Sequence, residues 1–201
     1  MVIDEITKVI FLHNPKCGGT FFRDSYTACH GSYEAYDYWK LYDEAVHTDL
    51  GHINLQNLPR FIPDYKEYKI ISFVRDPYNR FVSGFKEAVK FIPEVRNLGE
   101  RYHWNMTDIC NHLTMLNYRE QDLFLRNPSI PWLNPQSYYV NSDVIILHFE
   151  SYNDWNFLLN IFRITGAKVH IRQDYELDNN TKKLIRDLYF DDENIFRMYE
   201  K

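Results

Sequence analysis

One short segment of the sequence combines residue types that can hold an anion. Residues 14–20 read Asn-Pro-Lys-Cys-Gly-Gly-Thr and contain the one adjacent pair, Gly18 and Gly19, among the seven glycines of the chain. Glycines let the backbone approach a cluster of oxygens closely, and the ammonium group of Lys16 attracts such a cluster as a point charge. Thr20 adds a hydroxyl donor. The segment therefore predicts a phosphate-binding loop.

The loop is expected to lie between a strand and a helix. The apolar run at residues 9–12 predicts a buried strand, and a helix capped by Thr20 is expected to run towards Cys29. The amides and the dipole at a helix N-terminus favour bound phosphate. The segment is not a Walker A loop, because that motif places its lysine after the last glycine, whereas Lys16 precedes both glycines. The structural alternatives to a phosphate site are a tight turn for the two glycines, a plain helix cap for Thr20 and a solvated surface charge for Lys16.

A second motif follows at residues 70–85. The apolar run at residues 70–74 predicts a strand, and Asp76 followed by Pro77 is a strong helix start, because the carboxylate accepts a free N–H and proline has none to lose. Arg75 can bind a phosphate through two parallel hydrogen bonds, and Ser83 can offer a hydroxyl two turns along the helix. The alternatives are a surface cation for Arg75, a small packing residue for Ser83 and a magnesium ligand for Asp76.

Strand, turn and helix recur along the chain. A third strand is predicted at residues 144–147, before a helix that is capped by Asn153 and ended by Gly166, and a fourth strand at residues 167–171. Residues 92–134 are expected to be helical with loops, and residues 181–199 to form an amphipathic helix pair. The pattern predicts an α/β fold, with a P-loop-like parallel sheet flanked by helices in a single domain over residues 1–201.

The two motifs together resemble a known family. Residues 11–20, Phe-Leu-His-Asn-Pro-Lys-Cys-Gly-Gly-Thr, resemble the 5′-phosphosulfate loop of sulfotransferases that use 3′-phosphoadenosine 5′-phosphosulfate (PAPS). Residues 75–83 resemble the motif Arg-Asp-Pro-x-x-Arg-x-x-Ser, which binds the 3′-phosphate in that family. The resemblance is closest to the heparan sulfate 2-O-sulfotransferase-like group (sulfotransferase family 2) and its bacterial members. It continues more weakly at residues 134–138 and 148–150.

The resemblance implies sulfuryl transfer from PAPS to a hydroxyl acceptor without a metal. It gives Lys16 a catalytic role at the bridging oxygen of the breaking S–O bond. It places Gln136 on the acceptor side, with an amide that orders the loops as the alternative. The residues expected to bind the cofactor are Lys16, Cys17, Gly18, Gly19, Thr20, Phe21, Arg75 and Ser83.

The acceptor hydroxyl needs a base, and histidine titrates near neutral pH. Residues 50–53 read Leu-Gly-His-Ile, and His52 resembles the histidine of the Gly-His element that carries the base in the 2-O-sulfotransferase-like group. His47 is the second candidate, and Glu44 is the third because other heparan-modifying sulfotransferases use a glutamate in this part of the chain. A solvated loop histidine is the alternative for His52. His13 and His148 are expected to be packed, hydrogen-bonded histidines.

Charge and composition limit the partners. The chain has 23 basic and 28 acidic residues, and a net charge of −5 argues against a nucleic-acid or anionic-membrane surface, so anions must be held locally. No apolar stretch is long enough to span a membrane, and three cysteines without zinc spacing favour a cytoplasmic protein. A glycan or glycosylated small molecule is the expected acceptor, and a homodimer is left open. An ATP-dependent P-loop kinase-like phosphotransferase and a non-catalytic nucleotide-binding module are the other candidate functions.

Overall fold

A mostly parallel four-stranded sheet forms the centre of the computed structural model, which describes residues 1–31, 42–45, 48–171 and 175–198. The strands are β1 (Val2–Asp4), β2 (Val9–Phe11), β3 (Tyr42–Asp43), β4 (Thr48–Asp49), β5 (Lys69–Val74) and β6 (Val144–His148). The sheet order is β1-β2-β5-β6, in which β2, β5 and β6 are parallel and β1 is antiparallel to β2. Among the described residues, strands β3 and β4 pair only with each other. The predicted α/β fold is confirmed.

Helices cover both faces of this sheet. They are α1 (Gly19–His30), α2 (Leu58–Phe61), α3 (Pro77–Phe91), α4 (Pro93–Arg101), α5 (Met106–Met115), α6 (Tyr118–Leu125), α7 (Tyr152–Ile161), α8 (Asn179–Leu188) and α9 (Phe190–Met198). Short 3₁₀ turns occur at Leu50–His52, Tyr65–Glu67, Pro131–Leu133 and Gln136–Tyr138. No helix of the described residues is long and apolar enough to cross a membrane.

Side chains alternate along β2 and β5, so these strands contribute to two hydrophobic cores, one on each face of the sheet. Phe11 and Phe73 point to the face covered by α1 and α7, where they pack with Trp155. Ile10 and Ile70 point to the opposite face, which the chain around the Leu50–His52 turn and α2 covers. A third apolar cluster joins α3 to α4, α5 and α8 beyond the sheet. The strand ends that carry the two motifs are therefore fixed from both sides.

Two of the three predicted helix caps were wrong. Helix α1 begins at Gly19, because Gly18 with φ 81° turns the chain directly into the helix and leaves Thr20 inside the first turn. Helix α7 is capped by Ser151 rather than Asn153, and it ends at Ile161, well before Gly166. The third cap is confirmed, since the side chain of Asp76 accepts a hydrogen bond from an α3 amide and Pro77 is the first helical residue.

The predicted fourth strand at residues 167–171 was also wrong. Ala167, Val169 and Ile171 do alternate with more polar residues, but they pack on the core cluster without joining the sheet. The additional strand is β1, on the other edge, which the sequence analysis did not predict. Alternation thus agrees with which side chains are partly buried, but it did not show which segment forms a strand.

Candidate functional site

The chain between β2 and α1 forms a loop that exposes a helix N-terminus. Lys16 and Gly18 both have left-handed backbone conformations, with φ of 67° and 81°, so the chain turns sharply twice. The N–H of Phe22 donates to the carbonyl of Gly18 at 3.1 Å, as the first hydrogen bond of α1. The amides that precede Phe22 in the helix have no acceptor within it. Such amides bind phosphate or sulfate oxygens.

Both glycines of the loop are required by close packing. A Cβ atom added to Gly18 would lie 2.6 Å from the Trp155 ring, and one added to Gly19 would lie 1.9 Å from the His13 ring. Neither position accommodates a side chain without movement of an aromatic ring. The turn interpretation and the anion-binding interpretation are therefore both compatible with the structure, since the same glycines serve both.

Lys16 extends from the loop to helix α3. Its Nζ lies 3.1 Å from Oε2 of Glu87, and about a quarter of each side chain is exposed. Lys90 donates to the same carboxylate oxygen at 2.9 Å. Partial burial raises the pKa of Glu87, but the hydrogen bonds from Lys90 and Lys16 outweigh burial, so this pKa lies below its usual value. Glu87 therefore stays ionised and offsets part of the positive charge of Lys16.

Arg75 reaches the loop from the end of β5. Its side chain is almost fully buried, with 5% of the residue exposed, and Nη1 donates to the carbonyl of Lys16 at 3.2 Å. The guanidinium lies over the ring of Phe149, 4.7 Å from its centroid. Its Nε–H is buried and has no hydrogen-bond partner among the described residues. Because an unused buried donor is costly, this N–H is well suited to a ligand acceptor beside the loop.

Glu150 lies next to Arg75 at the end of β6. Its Oε1 accepts the N–H of Asp76 at 3.0 Å, while Oε2 is buried and has no partner within the described part of the chain. Burial raises the pKa of Glu150 to about 7, against the opposing effects of the Asp76 N–H and the Arg75 charge. A carboxyl group that changes its charge near neutral pH therefore adjoins Arg75.

Gln136 connects the loop to β5. It is fully buried, and its Oε1 accepts from the N–H of Arg75 at 2.9 Å and from Nδ2 of Asn14 at 3.2 Å. Its Nε2 donates to the carbonyl of Arg75 at 2.8 Å. Both ends of the amide are thus used inside the protein. These contacts are those of the loop-ordering amide that was the alternative, and the acceptor-side role of Gln136 stays a prediction.

The Cys17 side chain also points inward. Its Sγ lies 3.6 Å from both Oε1 of Gln136 and the carbonyl of Pro15, and burial raises the pKa of the thiol to about 12. Only the backbone of Cys17 can face an anion in the loop. By contrast, Thr20 is exposed in the first turn of α1, and Phe21 is partly buried with its ring 5.4 Å from that of Trp155.

Arg80 holds the loop in place, a role that the sequence analysis missed. It is 2% exposed, and its Nε donates to the carbonyl of Pro15 at 3.2 Å, while Nη2 donates to the carbonyl of Asn134. Its Nη1 lies 3.9 Å from Asp192, whose pKa burial raises to about 6 against the effect of the arginine. The available signal was the second arginine of the motif Arg-Asp-Pro-x-x-Arg-x-x-Ser, which is Arg80.

His52 is buried beside the loop and is not a solvated histidine. It ends the Leu50–His52 turn with 4% of its surface exposed, and its ring lies 4.6 Å from that of His13. Burial lowers the pKa of His13 well below its usual value, and the charges of His52 and Lys16 act in the same direction. His13, which packs on Gly19, is thus within electrostatic range of both predicted catalytic residues.

The other two candidates for the base have different positions. Glu44 is exposed in the turn between β3 and β4. His47 lies outside the residues that the structure describes. The ring of Trp132 lies 6.5 Å from that of His52.

Ser83 and Asp76, the remaining residues of the second motif, lie on α3 and at its N-terminus. Ser83 lies on α3, one turn before Glu87, and is therefore on the side of the helix that meets Lys16. The carboxylate of Asp76 accepts the N–H of Asn79 at 2.8 Å, so it acts as a helix cap. Across the described ranges, no group of three or more His, Cys, Asp or Glu side chains is arranged to hold a metal ion.

Comparison with known proteins adds one result to this geometry. A family model described as "Sulfotransferase family" matches residues 1–129, which is nearly two thirds of the 201 residues. No curated protein and no solved structure gives a significant match to the chain. The matched region contains the loop at Lys16, the buried Arg75 and the turn that carries His52. The chain belongs to the sulfotransferase family.

Proposed function

We propose that the protein is a PAPS-dependent O-sulfotransferase of the heparan sulfate 2-O-sulfotransferase-like type, whose acceptor hydroxyl belongs to a carbohydrate or a glycosylated small molecule. The observation that carries this proposal is the buried Arg75 guanidinium with an unused Nε–H beside the loop. Together with the amides at the N-terminus of α1, it gives the site two sets of donors for anionic groups. A cofactor with a 5′-phosphosulfate and a 3′-phosphate fits this pair.

The chain can supply each group that sulfuryl transfer needs. PAPS, when bound, supplies an activated sulfuryl group. The amides at the start of α1 and the ammonium group of Lys16 would bind the 5′ end and stabilise negative charge on the leaving phosphate. Arg75 and Ser83 would bind the 3′-phosphate. His52 would accept the proton of the acceptor hydroxyl.

Calorimetry with the product 3′-phosphoadenosine 5′-phosphate (PAP) tests the cofactor. AMP is the matched ligand, because it lacks only the 3′-phosphate, and Mg²⁺-ATP represents the kinase-like alternative. We expect PAP to bind about 10- to 100-fold more tightly than AMP, as one charge-assisted phosphate contact implies. Tighter binding of Mg²⁺-ATP than of PAP would contradict the proposal. PAP binding without sulfate transfer to any of a panel of glycosides, phenols and linear alcohols would support a non-catalytic module.

The ion pair between Lys16 and Glu87 predicts a gain of affinity on mutation. Glu87→Gln removes the carboxylate that competes for Lys16, so we expect PAP to bind about two- to fivefold more tightly, the range of a partly exposed ion pair. Glu94→Gln makes the same charge change in the first turn of α4 and should leave the affinity unchanged. In a Lys16→Met background, Glu87→Gln should give no gain. An equal gain there would show that Glu87 does not act through Lys16.

Glu150 predicts a pH dependence of cofactor binding. As pH rises through about 7, Glu150 becomes negatively charged next to Arg75, which opposes an anionic ligand. We expect Glu150→Gln and the wild type to bind PAP alike at pH 6, and the variant to bind roughly fivefold more tightly at pH 8. The ionisation of PAP affects its binding to both proteins equally. The ratio of the two PAP affinities at each pH therefore isolates the effect of Glu150. A ratio that does not change with pH would exclude this role.

A further inference from the structure

We propose that Phe91 and Trp132 form the surface against which a ring of the acceptor packs, next to His52; this inference rests on the proposed function and adds the location and chemistry of acceptor binding. Phe91 is the last residue of α3 and is 60% exposed. Its ring is stacked on that of Trp132, with centroids 5.3 Å apart and planes 22° apart. The stacking fixes the orientation of an aromatic side chain that is open to solvent.

Helix α3 connects this aromatic pair to the cofactor loop. Ser83, Glu87 and Phe91 are spaced by four residues and therefore lie along one side of the helix. Glu87 contacts Lys16 at 3.1 Å, and Phe91 follows one turn later, roughly 6 Å along the helix axis. The aromatic pair thus lies next to the side of the loop that carries the lysine.

Trp132 places the aromatic pair near the proposed base, His52. Its ring is 6.5 Å from the ring of His52, in an edge-to-face orientation. Its backbone is held against α3, because a Cβ atom on Gly84 would lie only 2.2 Å from the Trp132 carbonyl oxygen. The pair therefore joins the side of α3 that contacts Lys16 to the ring of His52.

The chemistry of this surface favours a neutral ring. Aromatic faces pack well on the apolar face of a sugar or on another aromatic ring. The nearby cations already have partners within the protein: Lys90 is paired with Glu87, and Arg96 donates to the carbonyls of Val89 and Lys90 at the end of α3. The acceptor that fits the two aromatic faces is a neutral glycoside or phenol.

Kinetics with ring-shaped and linear acceptors test this inference. Sulfate transfer from PAPS is measured with 4-nitrophenyl β-D-galactopyranoside, 4-nitrophenol and 1-octanol. We expect transfer to the two ring acceptors only, with Phe91→Ala raising their KM about three- to tenfold, kcat changing less than threefold, and Phe91→Tyr restoring KM. Phe190→Ala is the matched control, because Phe190 is 65% exposed on α9 and should leave KM unchanged. Equal transfer to octanol, or an unchanged KM for Phe91→Ala, would overturn the inference.

If none of these acceptors is sulfated, a binding measurement tests the proposed acceptor surface instead. Binding of 4-nitrophenyl β-D-galactopyranoside to the PAP-bound protein should quench tryptophan fluorescence, and this quenching should be largely lost in Trp132→Phe, which keeps a ring against α3. Quenching that is absent, or that Trp132→Phe does not change, would overturn the inference. Failure of the wild type to bind PAP would instead contradict the proposed function.

Discussion

Replacement of Arg75 by alanine is expected to weaken PAP binding by about 10- to 100-fold and to leave AMP binding within about threefold of the wild-type value. The difference follows from the proposed contact of the guanidinium with the 3′-phosphate, which AMP lacks. Calorimetry with the two nucleotides measures it directly. A similar loss for both ligands would mean that Arg75 acts only by ordering the loop through the Lys16 carbonyl, which lies 3.2 Å from Nη1.

Two further variants separate this effect from general damage to the protein. Arg75→Lys keeps the positive charge but cannot form two parallel hydrogen bonds, so PAP affinity should lie between those of the wild type and Arg75→Ala. Arg126 is a matched control, because its guanidinium also lies over an aromatic ring, that of Tyr118 at 5.2 Å, far from the loop in the chain. Arg126→Ala should bind PAP like the wild type. Thermal unfolding of each variant verifies that the fold is retained.

The parts of this site that could be predicted are those that local sequence determines. The apolar runs before Lys16 and Arg75 form adjacent parallel strands, so the two cations reach the same edge of the sheet. The Asp76 cap followed from one carboxylate and the proline after it. In each case neighbouring residues set the backbone conformation, and the packing of the sheet did not override it.

The contacts that could not be predicted join residues far apart in the chain. Gln136 binds the backbone of Arg75, 61 residues before it, and Lys16 meets Glu87, 71 residues after it. Neither partner follows from spacing, because both contacts require β5, α3 and the Gln136–Tyr138 turn to be placed against the loop. The same limit applies to the burial of Gln136, which depends on tertiary packing that its spacing in the sequence does not show.

For His52, too, the sequence indicated a role but not the burial that tertiary packing imposes. Its place in a Gly-His pair indicated a catalytic role by resemblance, whereas the alternative, a solvated loop histidine, followed from the glycine before it. The structure buries the side chain against His13. Burial excludes the solvated alternative but leaves the base itself to experiment, because a packed histidine can also be structural.

His52→Gln is therefore expected to lower the rate of sulfate transfer by about 10²- to 10⁴-fold, the usual contribution of a positioned base. PAP affinity should change less than threefold, because the cofactor contacts come from the loop and from Arg75. Glutamine keeps a polar side chain in the buried position, so the variant is less prone to unfold than alanine. Rates are measured with saturating PAPS and the best acceptor of the panel, and calorimetry measures PAP binding.

A control variant and the other two candidate bases show how each outcome for His52→Gln is interpreted. His112→Gln changes a partly buried histidine of α5, whose Nδ1 lies 3.1 Å from the hydroxyl of Tyr102, and should leave the rate unchanged. If His52→Gln retains most of the activity, His52 is a packing residue, and the test moves to His47→Gln and Glu44→Gln. If the variant loses PAP binding together with the rate, His52 acts on the loop through His13 and Gly19, because these two are in direct contact. Only loss of rate with PAP binding retained assigns the proton transfer to His52.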